Sequence, residues 1–176
     1  MIYSLSLSLT NKRLTLTTKL YNEVVEQYNV RVFRFLIKNV GNSEVCKDLL
    51  QETFMKLWEF KDRINPDSVK SWLFTTAYHA MLKQISEQKK FVMKDAAEIN
   101  IEANTDNSFE DKQFFEHYLP LLPQVQRSIL VLKDLEGYNY KEIGEMLNIS
   151  DSQVKVYLFR ARQKLRDMLE AQEIKG

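Results

Sequence analysis

The sequence predicts an all-α fold: two small helical domains, a helical bundle and a helix-turn-helix, joined by an acidic flexible linker. Three observations carry that prediction. Only 4 glycines and 3 prolines occur among 176 residues, too few for strands joined by tight turns. Apolar residues recur at helical spacing in two stretches, 19–90 and 118–170, the mark of helices with one buried face. The charges divide the chain at the same places. Residues 12–90 carry 14 Lys and Arg against 9 Asp and Glu, residues 91–118 carry 2 against 7, and residues 119–176 carry 9 against 8.

Residues 1–18 alternate leucine with serine or threonine, at Leu5, Leu7 and Leu9 and again at Leu14 and Leu16. A hairpin, a floppy tail and a strand that forms only against a partner all fit this period of two, since a lone two-stranded hairpin is marginal in water. Helical periodicity then runs from Thr18 to Gly41, where a glycine can take the left-handed conformation that closes a helix. The chain restarts at Asn42-Ser43. In EVCKDLLQETFMKLWEF, Val45, Leu49, Thr53, Leu57 and Phe60 fall on one arc and form a core-facing stripe. The polar break KDRINPDSVK follows, then SWLFTTAYHAMLKQISEQKK, with Trp72, Leu73, Ala77, Ala80, Met81 and Ile85 at helical spacing. Lys89-Lys90 suit the C-terminal end of that helix.

Residues 91–117 are acidic, poor in aromatics and without a sustained period, which predicts a disordered linker. The second domain covers 118–170, with 171–176 as a tail. Pro120 and Pro123 flank the entry to VQRSILVLKDLEG, and Gly137 stops that helix. Asn139 and Glu142 are spaced as a cap and its third residue for the next helix, which ends at Leu147. Asn148-Ile149-Ser150 is a joint, and Ser150 with Gln153 is a capping box that starts the last helix.

That last helix, in NISDSQVKVYLFRARQKLR, has one apolar stripe through Val154, Leu158, Ala161 and Leu165. Lys155, Phe159, Arg160 and Arg162 lie outside it. From Asp151 to Leu169 the helix carries 5 Lys and Arg against 2 acids. Two short helices, a tight joint and an exposed basic second helix read as a helix-turn-helix, whose second helix enters the major groove. The competing reading is a helical hairpin whose cations are merely solvated. Ser152, Gln153 and Lys155 in the first exposed turns favour DNA, because each can bond to bases or phosphates.

Composition excludes several classes. No apolar run approaches the ~20 residues of a membrane span, and the N-terminus has neither the basic start nor the apolar block of an export signal. A cytoplasmic protein that acts without a membrane is expected. Cys46 has no intramolecular partner, and His79 and His117 are the only imidazoles, so no metal, structural zinc or other cofactor is expected. Cys46 is either a buried small hydrophobe or a reactive thiol. With no nucleophile set, metal cluster or glycine-rich phosphate loop, an enzyme is the least supported class.

EGYNYKEIGEMLNISDSQVKVYLFRARQKL resembles region four of bacterial extracytoplasmic-function (ECF) sigma factors. DLLQETFMKLWE and SWLFTTAYHAMLKQ resemble their region two. The likeness covers roughly residues 20 to 170. Its strongest parts are Asp48, Gln51, Glu52, Phe54 and Trp58, then Trp72-Leu73, then Val154-Lys155 with Arg160-Ala161-Arg162. It implies a dissociable initiation subunit, monomeric on its own, that binds core RNA polymerase and directs it to promoters. Region two, residues 19–90, is implied to dock on the clamp helices of the largest subunit and capture the single-stranded minus-ten element. Region four, residues 118–170, is implied to meet the flap of the second largest subunit and the double-stranded minus-thirty-five element. The acidic linker is implied to thread toward the RNA path.

The residues agree with that division. Asp48, Gln51, Met55 and Trp58 share one side of their helix outside the core stripe, and with Glu52 they form the expected polymerase face. An aromatic at the rim of an exposed polar face is a common interface anchor; a Trp58 packed inside the bundle is the competing reading. The single strand needs cations and flat groups. The candidates are Lys61, Arg63, Asn65, Ser68, Lys70, Trp72, Tyr78, His79 and Lys83. For the upstream duplex they are Ser152, Gln153, Lys155, Val156, Phe159, Arg160, Arg162 and Lys164.

The pattern departs from the family at its readers. An Arg-Asn pair is usual where this chain has Tyr78-His79, an acidic residue at Lys83, and arginine-rich residues at Ser86-Glu87-Gln88; a Ser-Arg pair is common at Val156-Tyr157. Each good bidentate base contact is worth ~1–3 kcal/mol of discrimination, so such losses cut autonomous specificity. Either an unusual promoter is read, or a DNA-bound recruiting protein helps to place the chain, through the N-terminal segment for instance. An anti-sigma factor is a further partner the family admits. Two other readings stay open: a helix-turn-helix regulator that does not bind core polymerase, against which the lack of a dimerisation heptad counts, and an interaction protein that keeps the polymerase-binding unit but has lost promoter selection.

Overall fold

A computed structural model of the chain describes residues 16–92 and 117–173. Residues 1–15, 93–116 and 174–176 lie outside these, and with them most of the N-terminal alternation and of the acidic linker and the end of the tail. The described residues form six α-helices and no strand.

Helix α1 (Thr18–Val40) starts at Thr17, whose side chain accepts a hydrogen bond from the Leu20 amide. Such a cap is worth about 1 kcal/mol. It ends at Gly41, φ 82°, whose N–H donates to the Ile37 carbonyl, a left-handed closure that a side chain would strain. Asn42 caps α2 (Ser43–Phe60) by accepting from the Val45 amide. A 3₁₀ turn, Pro66–Ser68, leads into α3 (Val69–Val92). These three helices make the first bundle, around Val32, Phe35, Leu36, Leu57, Leu73 and Met81. Leu16 belongs to it too: it is 1% exposed, and its N–H donates to the Lys61 carbonyl at 3.1 Å. The expectation that 1–18 is wholly hairpin or tail is therefore corrected at Leu16 and Thr17, which one buried leucine and one cap tie to the bundle.

In the expected stripe of α2, Leu49, Thr53 and Leu57 are buried and Val45 half-buried, whereas Phe60 is 41% exposed. Phe54 takes the inward place instead. It is 8% exposed, four residues after the half-buried Leu50 and well over a turn before the end of the helix.

The second domain begins with a 3₁₀ turn, Leu119–Leu121, and α4 (Gln124–Leu130), which widens into a π-helical turn over Val131–Leu135. Helix α5 (Tyr140–Leu147) has the full capping box: the Asn139 side chain accepts from the Glu142 amide, and the Glu142 carboxylate accepts from the Asn139 amide. The stop at Gly137 holds, with φ 76°. Helix α6 (Asp151–Glu173) starts at the expected Ser150–Gln153 box, amide to side chain in both directions. Val154, Leu158, Ala161 and Leu165 are all buried.

The two domains dock on each other, and their buried apolar residues form one continuous cluster. Phe35, Phe74 and Tyr138 stack edge-to-face in sequence, with centroid separations of 5.7 and 5.2 Å, which carries the core of the first domain into the second. Polar bonds line the same seam. The Glu136 side chain is fully buried between Arg31 and Arg34 of α1. Asn39 accepts from Gln124 and Ser128 at 2.8 Å each, while its carbonyl accepts from Arg127 at 2.7 Å. Lys70 pairs with Glu142, Ser71 donates to Glu145, and Thr75 Oγ1 donates to the Met146 carbonyl.

Candidate functional site

Three surfaces follow from this frame. The first is on α2. Burying Cys46, Leu49, Thr53, Phe54 and Leu57 turns Asp48, Gln51, Glu52, Met55 and Trp58 outward together. Met55 is 54% exposed and Trp58 40%. Trp58 satisfies both readings of it in part. Its ring meets Tyr21 edge-on at 5.0 Å and lies under Lys61 Nζ at 3.4 Å, while its other side is open. The aromatic is held in a fixed orientation at the edge of a polar face, which suits an anchor that loses little entropy on contact. Glu52 pairs with Lys56 at 2.5 Å. Cys46 is buried, and burial pushes its thiol up to about 12, so the reactive-thiol alternative is corrected: a thiol with so little thiolate is inert.

The second surface joins the α2–α3 turn and α3. Arg63, Asn65 and Ser68 are exposed and Lys61 half-exposed at the turn. Asn65 caps it by accepting from the Asp67 amide, and Arg63 lies 6.0 Å from the Phe60 ring. Further along α3, exposed His79 and Lys83 border a groove with Glu52, Lys56, Thr76 and Gln84. The turn and the groove thus present two separate sets of candidates. Between them stand Lys70, paired with Glu142, and Trp72, half-buried against the core. Tyr78 corrects the expectation outright. It is 7% exposed, and burial raises its phenol. Tyr78 follows Phe74 by four residues and precedes Met81 by three, so it shares their inward side and cannot receive an extruded base.

The third surface is α6. Ser152, Gln153, Lys155, Val156, Phe159, Arg160, Arg162 and Lys164 stand outside its buried stripe; Gln153 is exposed like the rest. They are not equally available. The Gln153 side-chain oxygen accepts from Ser150, which leaves its amide nitrogen as the outward donor. Arg162 forks onto Asp134 at 2.6 and 3.2 Å, and that bond holds its guanidinium above the usual range. Lys155 Nζ lies 5.5 Å from the Tyr140 ring. Val156 is 46% and Phe159 69% exposed; spaced by three residues, they form an apolar pair on an otherwise polar helix face.

The expected joint Asn148-Ile149-Ser150 depends as well on Gly144, which spacing alone does not single out. Asn148 takes the left-handed conformation, φ 55°, and the Ile149 N–H donates to the Gly144 carbonyl at 3.0 Å. A Cβ on Gly144 would stand 2.7 Å from the Ile149 carbonyl oxygen and 3.2 Å from the Asp151 carboxylate. Only glycine lets the two helices come this close. Among the described residues no helix is long and apolar enough to cross a membrane, and no group of three or more His, Cys, Asp or Glu is placed to hold a metal ion.

Comparison with known proteins gives concordant results. The family model described as Sigma-70 region 2 matches residues 24–91, and that described as Sigma-70, region 4 matches residues 115–165. The ECF RNA polymerase sigma factor SigM of Bacillus subtilis is 33% identical over 150 residues, spanning 82% of this chain and 92% of SigM. Among solved structures, the sigma factor RpoE in complex with the anti-sigma factor NepR from Bartonella quintana superposes with a TM-score of 0.73 at 22% identity, covering 87% of this chain and 98% of that one. CnrH in complex with the cytosolic domain of CnrY gives 0.67 at 19% identity, covering 88% and 90%.

Proposed function

The chain belongs to the ECF sigma factors, and from that premise we propose how its surfaces divide the work of an initiation subunit that binds core RNA polymerase and directs it to promoters. It carries out no covalent chemistry. The α2 face of Asp48, Gln51, Glu52, Met55 and Trp58 docks on the clamp helices of the largest subunit, with Trp58 as the oriented anchor. The observation that carries this assignment is that these five side chains are exposed together on the side of α2 opposite its buried residues.

The minus-ten strand is met by Lys61, Arg63, Asn65 and Ser68 at the turn and by His79 and Lys83 at the groove, where cations follow the phosphates and the imidazole offers a flat face. Lys70 and Trp72 join them only once the seam between the domains is released. Upstream, α6 enters the major groove. Lys155, Arg160 and Lys164 meet phosphates or base edges, Ser152 and the Gln153 amide supply short-range donors, and Val156 with Phe159 offers apolar contact to thymine methyl groups. Arg162, committed to Asp134, positions α6. The second domain also meets the flap of the second largest subunit, and the acidic character of residues 93–116 suits them to the RNA path.

Work in the cytoplasm follows from that role. Anti-sigma control is part of the proposal, supported by the two solved neighbours captured with NepR and CnrY. A DNA-bound recruiting protein is the other proposed partner. Co-elution of the chain with purified core polymerase, followed by run-off transcription from its mapped promoters, tests the reading. A chain that binds promoter DNA as a dimer but never associates with core would replace it with a helix-turn-helix regulator.

A further inference from the structure

Phe60 is the residue of the expected α2 stripe that the bundle leaves exposed, at 41%. It stands two helical turns after the buried Thr53 and so points along the same side of the helix. At the last residue of α2 nothing closes over it. A single exposed aromatic needs no explanation by itself. This one is set apart by what stands above it: the Arg63 guanidinium carbon lies 6.0 Å from the ring centroid, at the outer limit of a cation–π contact.

That separation is close to the space a flat base needs. Stacked layers are about 3.4 Å apart, so a base between two groups needs them about 7 Å apart, about 1 Å more than Phe60 and Arg63 already stand. Arg63 is exposed, and a long exposed side chain makes such a shift within nanoseconds. The ring beneath is held firmly. The Arg63 N–H donates to the Phe60 carbonyl at 2.8 Å, the Ser68 hydroxyl donates to the Asn65 carbonyl at 2.9 Å, and Ile64 and Val69 are buried. A platform fixed in advance loses little entropy on contact.

Charge alone does not hold a strand at this turn. Residues 59–70 carry Lys61, Arg63 and Lys70 against Glu59, Asp62 and Asp67. Lys61 is set over the Trp58 ring and Lys70 is paired with Glu142, which leaves Arg63 as the cation of the turn without an ion pair among the described residues. Its contact is with the Phe60 ring. Aromatic rings and guanidinium planes are the groups on which proteins stack unpaired bases, and here one of each stands at the place proposed for the single strand.

We propose that Phe60 and Arg63 form a slot for one extruded nucleobase of the melted minus-ten strand, with the phenyl ring on one side of the base and the guanidinium on the other. A purine, having the larger face, fills it better than a pyrimidine. The slot deepens the sigma-factor reading above and rests on it.

The test titrates the full chain, bound to core polymerase, with a short single-stranded oligonucleotide carrying the minus-ten element of a mapped promoter. The strand is used intact and with an abasic site at each position in turn. In the wild type, loss of the base at one position should weaken binding roughly fivefold or more. In Phe60→Leu and in Arg63→Met the same loss should cost less than about twofold, and in Phe60→Trp at least as much as in the wild type. Arg63→Lys keeps the charge without the plane: it should match Arg63→Met in the base comparison and keep the wild-type salt slope. Phe60 and Arg63 are both exposed, so these variants keep the fold, and comparing intact with abasic strand within one variant cancels any general loss of binding. A full base effect that survives in Phe60→Leu would overturn the slot. So would a wild type indifferent to every abasic site. Failure of the chain to co-elute with core polymerase is a separate result, which would overturn the sigma-factor reading and the slot with it.

Discussion

Tyr21 of α1 meets Trp58 of α2 edge-on, ring centroids 5.0 Å apart, and its hydroxyl donates to the Phe54 carbonyl at 3.2 Å. The tryptophan is thereby fixed from one side and open on the other. Trp58→Ala removes one aromatic pair and partly exposed apolar surface, a loss of about 1–2 kcal/mol of stability. It should leave the helical circular dichroism nearly unchanged while weakening co-elution with core polymerase, and Trp58→Phe should restore part of the binding. If the alanine variant unfolds, the ring is structural and the α2 anchor is misassigned.

On α6, basic residues of the same type should behave differently. Lys155 and Arg160 are exposed, whereas Arg162 forks onto Asp134. Lys155→Ala and Arg160→Ala should each reduce the slope of log affinity against log salt by about one unit, as expected when one fewer phosphate is neutralised. Arg162→Ala should leave the slope within error and lower the thermal midpoint. Equal slope changes in all three would place Arg162 on a phosphate as well.

Local signals in the chain were legible and distant pairings were not. The caps at Asn139–Glu142 and Ser150–Gln153, the stop at Gly41 and the stripe from Val154 to Leu165 all depend on residues within a few turns, where spacing alone fixes geometry. The spacing of Tyr78 to Phe74 and Met81 already points inward, whereas an aromatic beside a histidine also fits a reader, and local spacing alone does not decide between the two. The role of Glu136 was out of reach. Its partner Arg31 stands 105 positions away, and no periodicity reports a seam between domains. Gly144 was hidden for a similar reason, because its constraint is the Ile149 carbonyl across a turn rather than any feature of α5.

If α6 reads the upstream element as proposed, the exposed Val156 and Phe159 make that reading partly apolar. A methyl group buried on contact is worth about 0.8 kcal/mol, or about fourfold in affinity. Replacing thymine by uracil, one position at a time, in the upstream element should therefore weaken binding about fourfold at one or two positions in the wild type. The same replacement should have no effect in Val156→Ser/Phe159→Ser. Uniform insensitivity to uracil in the wild type would mean these side chains face away from the bases.

The seam should respond to acid through Glu142. Its hydrogen bond from Lys70, then that from the Asn139 amide, holds the carboxyl below the ordinary value of 4.5. A depressed carboxyl stabilises the fold fully above its unfolded value, and that share is lost as pH falls through the lower folded value. Unfolding midpoints of the wild type and Glu142→Gln should therefore differ by a constant amount near neutral pH and converge only below about 4.5, once the carboxyl is protonated in both states. Convergence already at pH 6 would assign the difference to another group.

The last prediction concerns how the chain finds its promoters. The resemblance implies that the family's usual readers stand where this chain has Tyr78-His79 and Val156-Tyr157, and of those four residues Tyr78 is buried and Tyr157 is half-buried against the core. Only His79 and Val156 are exposed, and valine offers no hydrogen bond. The α2 face proposed for polymerase, by contrast, turns all five of its side chains outward. If that face docks as proposed while address reading is reduced, the chain needs a second source of position. Tethering beside a promoter supplies it, because effective concentration raises occupancy by ~100-fold without a new base contact. In reconstituted transcription, core and this chain alone should initiate weakly from the best mapped promoter, and a DNA-bound protein recovered with the chain should raise initiation by roughly tenfold or more. Strong, sequence-selective initiation by the two-component system would sink the recruitment idea. It would mean that His79, Val156 and Phe159 read an unfamiliar promoter unaided.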